Sequence, residues 1–211
     1  MAQKSYRAWL VILALTGALL DQSSKYGVFY WLNPANVHAD GSRNTGSTQV
    51  VNGWFELLVQ YTENPADNSL QRVSSDRMPR VNKGALFGLL NNHEGLANGM
   101  FAVISVLAGF AIVAWSFRAH TARDRLLCSA LGLILAGTMG NLYDRVVFGG
   151  VRDFLHFYKF EWPVFNIADC CLVLGAGLLL VQAFLTHPAA APESANEREE
   201  TIATPQVAPV Q

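Results

Sequence analysis

The stretch LLCSALGLILAGTMGNLYDRVVF (Leu126–Phe148) decides how the chain is read. Most of it is apolar or small, and it is long enough for a helix to cross a bilayer core, which takes about 20 residues. Gly132, Ala136 and Gly140 recur every four residues and offer a small-residue face for close helix packing. Near its end the run is broken by NLYDR (Asn141–Arg145). Asn141, Asp144 and Arg145 stand at i, i+3 and i+4, hence on one helical face. A charge at mid-bilayer costs roughly 2.5–3.5 kcal/mol, so such a face needs partners or a partly wet cavity between helices.

Three other segments behave alike. Ala8 to about Leu32 is apolar but interrupted at DQSSK (Asp21–Lys25); Leu96–Phe117 is uninterrupted; Val164–Leu185 carries Asn166 and Asp169 near its start. The composition agrees with a membrane α-helical protein of four transmembrane helices: 51% of the 211 residues are hydrophobic and only 15% charged, below the usual charged fraction of a soluble domain. The length suggests one domain. A net charge of −1 without a basic stripe gives no reason to expect nucleic acid. Cys128, Cys170 and Cys171 lie in apolar segments with no CxxC spacing and read as small core residues. His38, His93, His120 and His187 are scattered, which argues against a metal site.

Orientation follows from the Lys and Arg residues flanking the spans. Lys4 and Arg7 precede the first, and Arg118, Arg123 and Arg125 crowd the connector between the second and third. Both regions are expected in the cytoplasm, and four spans return the C-terminus there. Residues 33–95 and Gly149–Pro163 then lie outside. The first span runs outward, the third runs outward and the fourth inward, so their polar residues converge near the outer interface. Within the outer region, Val50–Tyr61 reads as a strand from its β-branched and aromatic content, and Thr62–Arg80 as a polar loop. FLHFYKFEW (Phe154–Trp162) reads as an interfacial aromatic belt, with His156 an interfacial residue. The Ala-, Pro- and Glu-rich end of the chain, residues 186–211, reads as a disordered cytoplasmic tail.

The polar residues admit a structural explanation: Asp21 pairs with Lys25, and Asp144 with Arg145 or a neighbouring helix. Asp153 and Asp169 differ. No cation stands a helical turn from Asp169, and Arg152, next to Asp153, does not share its face in a helix or an extended segment. Two nearby carboxylates in low dielectric tend to share one proton, which suits an aspartic protease. On spacing alone, structural capping or interfacial placement stands ahead of that reading.

The motifs add a resemblance. LDQSSK (Leu20–Lys25), NKGALFG (Asn82–Gly88), GNLYDRVVFGGVRDF (Gly140–Phe154) and FNIAD (Phe165–Asp169) stand in the order of the boxes of the lipoprotein signal peptidases, or signal peptidase II, of bacteria. The third matches G-N-x-x-D-R-x-x-x-G-x-V-x-D-F at every specified position, and the fourth matches F-N-x-A-D. The resemblance implies an integral peptidase domain over residues 1–185, with a small extracytoplasmic β-sheet cradle inserted at about 33–95. It implies an aspartic endopeptidase of the inner membrane that removes signal peptides from diacylglyceryl-modified prolipoproteins, cutting just before the lipidated cysteine. By box position, Asp153 and Asp169 would be catalytic; Asn82, Asn141, Arg145 and Asn166 would bind or position substrate; Asp21, Lys25 and Asp144 would support the cavity. Neither a metal nor an organic cofactor is expected, the partners being lipid-modified prolipoproteins and membrane lipid, and the chain is expected to act as a monomer. In that family the strand ending near Tyr61 leads quickly into the asparagine box, whereas here Thr62–Arg80 intervenes.

Three rivals compete. A transporter or proton-relay subunit would favour carboxylates near the midplane and repeat symmetry, and the sequence shows no repeat. A scaffold protein with paired buried charges would survive loss of either aspartate. A presenilin-like protease would need a G-x-G-D box, which is absent.

Overall fold

A computed structural model describes residues 4–35, 45–72, 77–84, 94–160 and 162–186. The expected tail, His38, His93 and the second motif box beyond Gly84 lie outside the described residues.

Four long helices make the body: α1 (Arg7–Trp31), α2 (Glu94–Ser116), α4 (Arg125–Phe148) and α5 (Ile167–Thr186), with the short α3 (Ala119–Arg123) between α2 and α4. By length and composition α2, α4 and α5 can each cross a membrane. The 25 residues of α1 are also long enough, but Asp21 and Lys25 interrupt its apolar run. In α4, 61% of the apolar window is buried, against 11% in α2 and 22% in α5, so α4 is the spine and the others surround it.

Close approach of backbones fixes the directions. A Cβ on Gly132 would lie 2.8 Å from the Leu10 carbonyl oxygen, one on Gly17 would meet Ala136, and one on Gly140 would lie 2.5 Å from Asp21 Oδ2. Helices α1 and α4 therefore run parallel through the small-residue face of α4. On the other side Gly175 sits against Ala130 and Ile134, while Gln182 Nε2 donates to Asp124 Oδ2 at 2.8 Å, so α5 runs antiparallel to α4. The buried stripe of α1 is Leu10, Ala14, Gly17, Asp21, Lys25 and Phe29, a spacing of three and four that keeps one face inward. Two charges therefore belong to the face that packs.

A small cradle covers one end of the bundle. β1 (Ser47–Val51), β2 (Phe55–Leu58) and β5 (Leu155–His156) form an antiparallel sheet in the order β1-β2-β5, while β3 (Tyr61–Pro65) and β4 (Arg77–Pro79) form a second sheet. Phe29 of α1, Leu32 just past its end and Phe148 of α4 bury together with Val59 and Phe154, which joins cradle to bundle. Two expectations change here. Val50–Tyr61 is not one strand: the chain turns at Asn52–Trp54, with Gly53 at φ +79°, so that Val51 faces Phe55. Asn-Gly is a strong hairpin signal. Thr62–Arg80 is not wholly loop either, because β3 pairs with β4, Tyr61 opposite Pro79 and Pro65 opposite Arg77. The segment after β3 is docked: Gln71 Nε2 donates to the Val147 carbonyl at 2.7 Å, and Tyr26 Oη donates to the Leu70 carbonyl at 3.0 Å.

The aromatic stretch also divides. Phe154 is buried, while Phe157, Phe160 and Trp162 are exposed. His156 lies opposite Glu56 in the sheet, its Nδ1 2.9 Å from Glu56 Oε1, a cross-strand pair that periodicity along one strand does not reveal.

Candidate active site

The backbone places Asp153 and Asp169 by two different means. Val151 exchanges both backbone hydrogen bonds with Asn82, at 2.8 and 2.7 Å. Two residues past Asp153, Leu155 does the same with Phe165, and the Phe154 carbonyl accepts from Leu58 N. Asp153 thus sits on an extended segment pinned on both sides. Asp169 stands in the first turn of α5. The Asn166 side-chain oxygen accepts from Asp169 N at 3.0 Å, and Asp169 Oδ2 accepts from Asn166 N at 3.2 Å. This is a reciprocal capping box that satisfies two backbone donors at the helix start, and it moves the beginning of the fourth helix from Val164 to Ile167.

A chain of amides connects the two carboxylates. Asn82 Nδ2 donates to Asp153 Oδ2 at 3.1 Å, and Asn166 Nδ2 donates to Asp153 Oδ1 at 2.7 Å. The Asn166 amide also reaches Asn141 Oδ1 at 3.3 Å, and Asn141 Nδ2 donates to Asp169 Oδ1 at 2.8 Å. Each aspartate therefore accepts two N–H bonds and retains lone pairs for a water or a substrate group. Both are half-buried, and neither makes an ion pair among the described residues. Burial pushes the Asp153 carboxyl up from 3.8 to about 6. The negative charge of Asp169 pushes the same way, while the N–H bonds from Asn166 and Asn82 and the charge of Lys25 oppose it. A cleft of about 320 Å³ opens beside Asp153, lined by Leu58, Gln60, Arg80, Val81, Asn82, Pro163 and Val164.

Beneath this lies a second, fully buried layer. Lys25 Nζ is 2.8 Å from Asp21 Oδ2, 3.3 Å from Asp144 Oδ2 and 3.3 Å from Asn141 Oδ1, which occupies its three donors. The ammonium facing Asn141 Oδ1 also fixes the orientation of that amide, because its NH2 end must then face Asp169. Asp21 Oδ1 accepts from Ala168 N at 2.8 Å, tying α1 to the start of α5.

Of the two partners expected for Asp144, the neighbouring helix supplies one: Asp144 pairs with Lys25 of α1 and with Arg152, and no hydrogen bond joins it to Arg145 among the described residues. Arg152 Nη2 and Nε reach the two Asp144 oxygens at 2.8 and 3.3 Å. The Arg145 guanidinium bonds the Asn141 carbonyl at 3.3 Å and lies over the Phe101 ring. Of the nine residues singled out from the sequence, all but Arg145 join one side-chain network around the two aspartates. The sequence reading passed over Gln22, which donates to Asp21, Asp144 and the Gly140 carbonyl, and the structural part of Arg152. A polar residue beside Asp21 in an otherwise apolar helix was the available signal for Gln22.

The family model described as Signal peptidase (SPase) II matches residues 13–185 of this chain. The chain belongs to the signal peptidase II family. A lipoprotein signal peptidase of Cupriavidus taiwanensis is 38% identical over 175 residues, covering 82% of this chain and 80% of that protein. One from Rhodopirellula baltica is 36% identical over 191 residues, covering 82% and 70%. A solved bacterial membrane enzyme, determined by the in meso method at 2.3 Å resolution, superposes with a TM-score of 0.64 at 22% identity, covering 92% of this chain and 97% of that one. That likeness shows a shared fold.

Proposed function

We infer that this protein is an aspartic endopeptidase that removes signal peptides from diacylglyceryl-modified prolipoproteins, with Asp153 and Asp169 as its catalytic pair. The observation that carries the residue assignment is the amide chain joining two carboxylates that form no ion pair among the described residues. The pair holds one proton between its members, and the burial of Asp153 favours it as the seat of that proton. The ionised partner takes a proton from water, the water oxygen attacks the scissile carbonyl, and the protonated partner hydrogen-bonds and then protonates the carbonyl oxygen. Collapse of the tetrahedral intermediate expels the amine of the lipidated cysteine, which leaves with a proton from the pair. Asn82 and Asn166 hold Asp153, Asn141 holds Asp169, and Arg145 lies a turn away for substrate. Asp21, Lys25 and Asp144 keep Asn141 and the helix ends in place.

Residues 1–185 act as one monomeric peptidase domain of the inner membrane, with both termini in the cytoplasm and the pair near the outer face. Support comes from the opposite end of the bundle: Arg7 bonds the carbonyls of Ser116 and Phe117 beside Arg118, Arg123 and Arg125, so the basic flanks gather far from the aspartates. A pair at the outer surface meets its bond without drawing acyl chains into water, which costs about 0.8 kcal/mol per methylene.

The test is cleavage of a diacylglyceryl prolipoprotein in micelles. Equal processing of the non-lipidated precursor rules out the substrate assignment. The pH profile gives a second check. Above pH 6 Asp153 ionises and the pair loses its acid, so kcat/KM falls on the alkaline side with an apparent midpoint near 6, a property of the pair. A profile flat from pH 4.5 to 7.5 would contradict it.

A further inference from the structure

The geometry points to Arg152 as a positioning residue that sets the place of Asp153 by closing a ring with Asp144. The inference rests on the catalytic role proposed for Asp153. It concerns a position that the motif resemblance leaves unspecified.

Arg152 is fully buried, 0% exposed, one residue from a half-buried carboxylate. Its backbone N–H donates to Asp144 Oδ2 at 2.8 Å, and its own side chain folds back onto the same carboxylate through Nε at 3.3 Å and Nη2 at 2.8 Å. One carboxylate thus grips both the main chain and the side chain of Arg152. Nη2 also donates to Gln22 Oε1 at 2.8 Å. The guanidinium carbon lies over two mutually tilted rings, 3.9 Å from the Phe148 centroid and 4.2 Å from that of Tyr26. Planar stacking and bidentate donation are properties of guanidinium that an ammonium lacks.

The segment is extended, so successive side chains face opposite ways. Arg152 therefore points into the bundle while Asp153 points to Asn82 and Asn166. Consecutive Cα atoms stand about 3.8 Å apart, so whatever fixes residue 152 fixes the base of the Asp153 side chain. The Asn82 bridge at Val151 holds the segment from the cradle side, and the Asp144 ring holds it from the bundle side. Tyr26, one of those two rings, bonds Leu70 of the docked insertion. The clamp thereby joins α1, α4 and the cradle at the residue before the carboxylate.

The experiment uses the full chain in micelles with a diacylglyceryl prolipoprotein, measuring kcat, KM and thermal unfolding for Arg152→Lys, Arg152→Val and Asp153→Asn. Lysine keeps the charge and removes the fork and its planar face. A displacement of the carboxylate by a fraction of its reach costs about tenfold to a hundredfold in turnover. The expected result for Arg152→Lys is a fall of that size in kcat per folded molecule, with KM within about twofold of the parent. A residue that serves stability alone would lower the folded fraction and leave kcat per folded molecule unchanged. Parental kcat per folded molecule in Arg152→Lys, with Asp153→Asn inactive, overturns the role of Arg152 and spares the catalytic pair. Full turnover in Asp153→Asn overturns both. Arg152→Val should lose at least as much kcat per folded molecule as the lysine variant, and a smaller loss counts against the clamp.

Discussion

Asp21 and Asp144 are completely buried and each has a cation against it; Asp153 and Asp169, in the adjoining layer, are half-buried and, among the described residues, accept from amides and a backbone N–H. In the deeper layer two acids face two bases, Lys25 and Arg152, and the charges balance where water is absent. In the upper layer burial, helped by the charge of Asp169, outweighs what the donors to Asp153 return, and its carboxyl rises to about 6. The same residue type faces cations in one layer and neutral donors in the other. A buried ion pair is weak evidence of stability in itself, yet breaking one by removing a single partner is costly. The deeper layer is thus a scaffold whose loss should be felt in folding, and the upper layer a site whose loss should be felt in turnover.

The contrast fails first if the aspartates prove dispensable. Asp153→Asn and Asp169→Asn should each lower kcat by at least about a thousandfold, the scale of general acid–base catalysis, with unfolding midpoints near the parent's in micelles. Full activity in either variant ends the assignment. Lys25→Met, which leaves Asp21 and Asp144 competing for one remaining cation, should lose about 3–5 kcal/mol in chemical denaturation; an unchanged midpoint would mean that the lower layer is not a scaffold. Gly140→Ala drives a methyl group into Asp21 Oδ2, which Lys25 holds in place, and overpacking of this kind costs about 1–3 kcal/mol. A neutral result would show that α1 can slide relative to α4. Gln71→Ala removes one hydrogen bond to the Val147 carbonyl, and a loss of about 1 kcal/mol with kcat intact would sharpen the division between docking and chemistry.

The four apolar blocks were legible because membrane length is a coarse requirement that survives two charges in Asp21–Lys25. The convergence of polar groups at one end followed from counting spans. Partners were harder to read. Lys25 finds Asp21 four residues away, but Asp144 finds Arg152 across a helix end and Gln22 from another helix, and no periodicity relates those positions. Arg145 and a neighbouring helix both stood as partners for Asp144, and spacing within one helix does not choose between them. In the cradle, the alternation of Val50–Tyr61 runs across a turn, so a hairpin looked like a single strand. β3 alternates no apolar face and β4 is three residues long, which leaves pairing without a hydrophobic pattern to announce it.

Asn166 begins α5 and also bridges the two carboxylates, so the first turn of that helix cannot fray without dispersing the pair. The amide hydrogen of Asp169, locked onto Asn166 Oδ1, is consequently a reporter: its rate of exchange with deuterated solvent measures how often the catalytic assembly comes apart in the resting enzyme, with no substrate present.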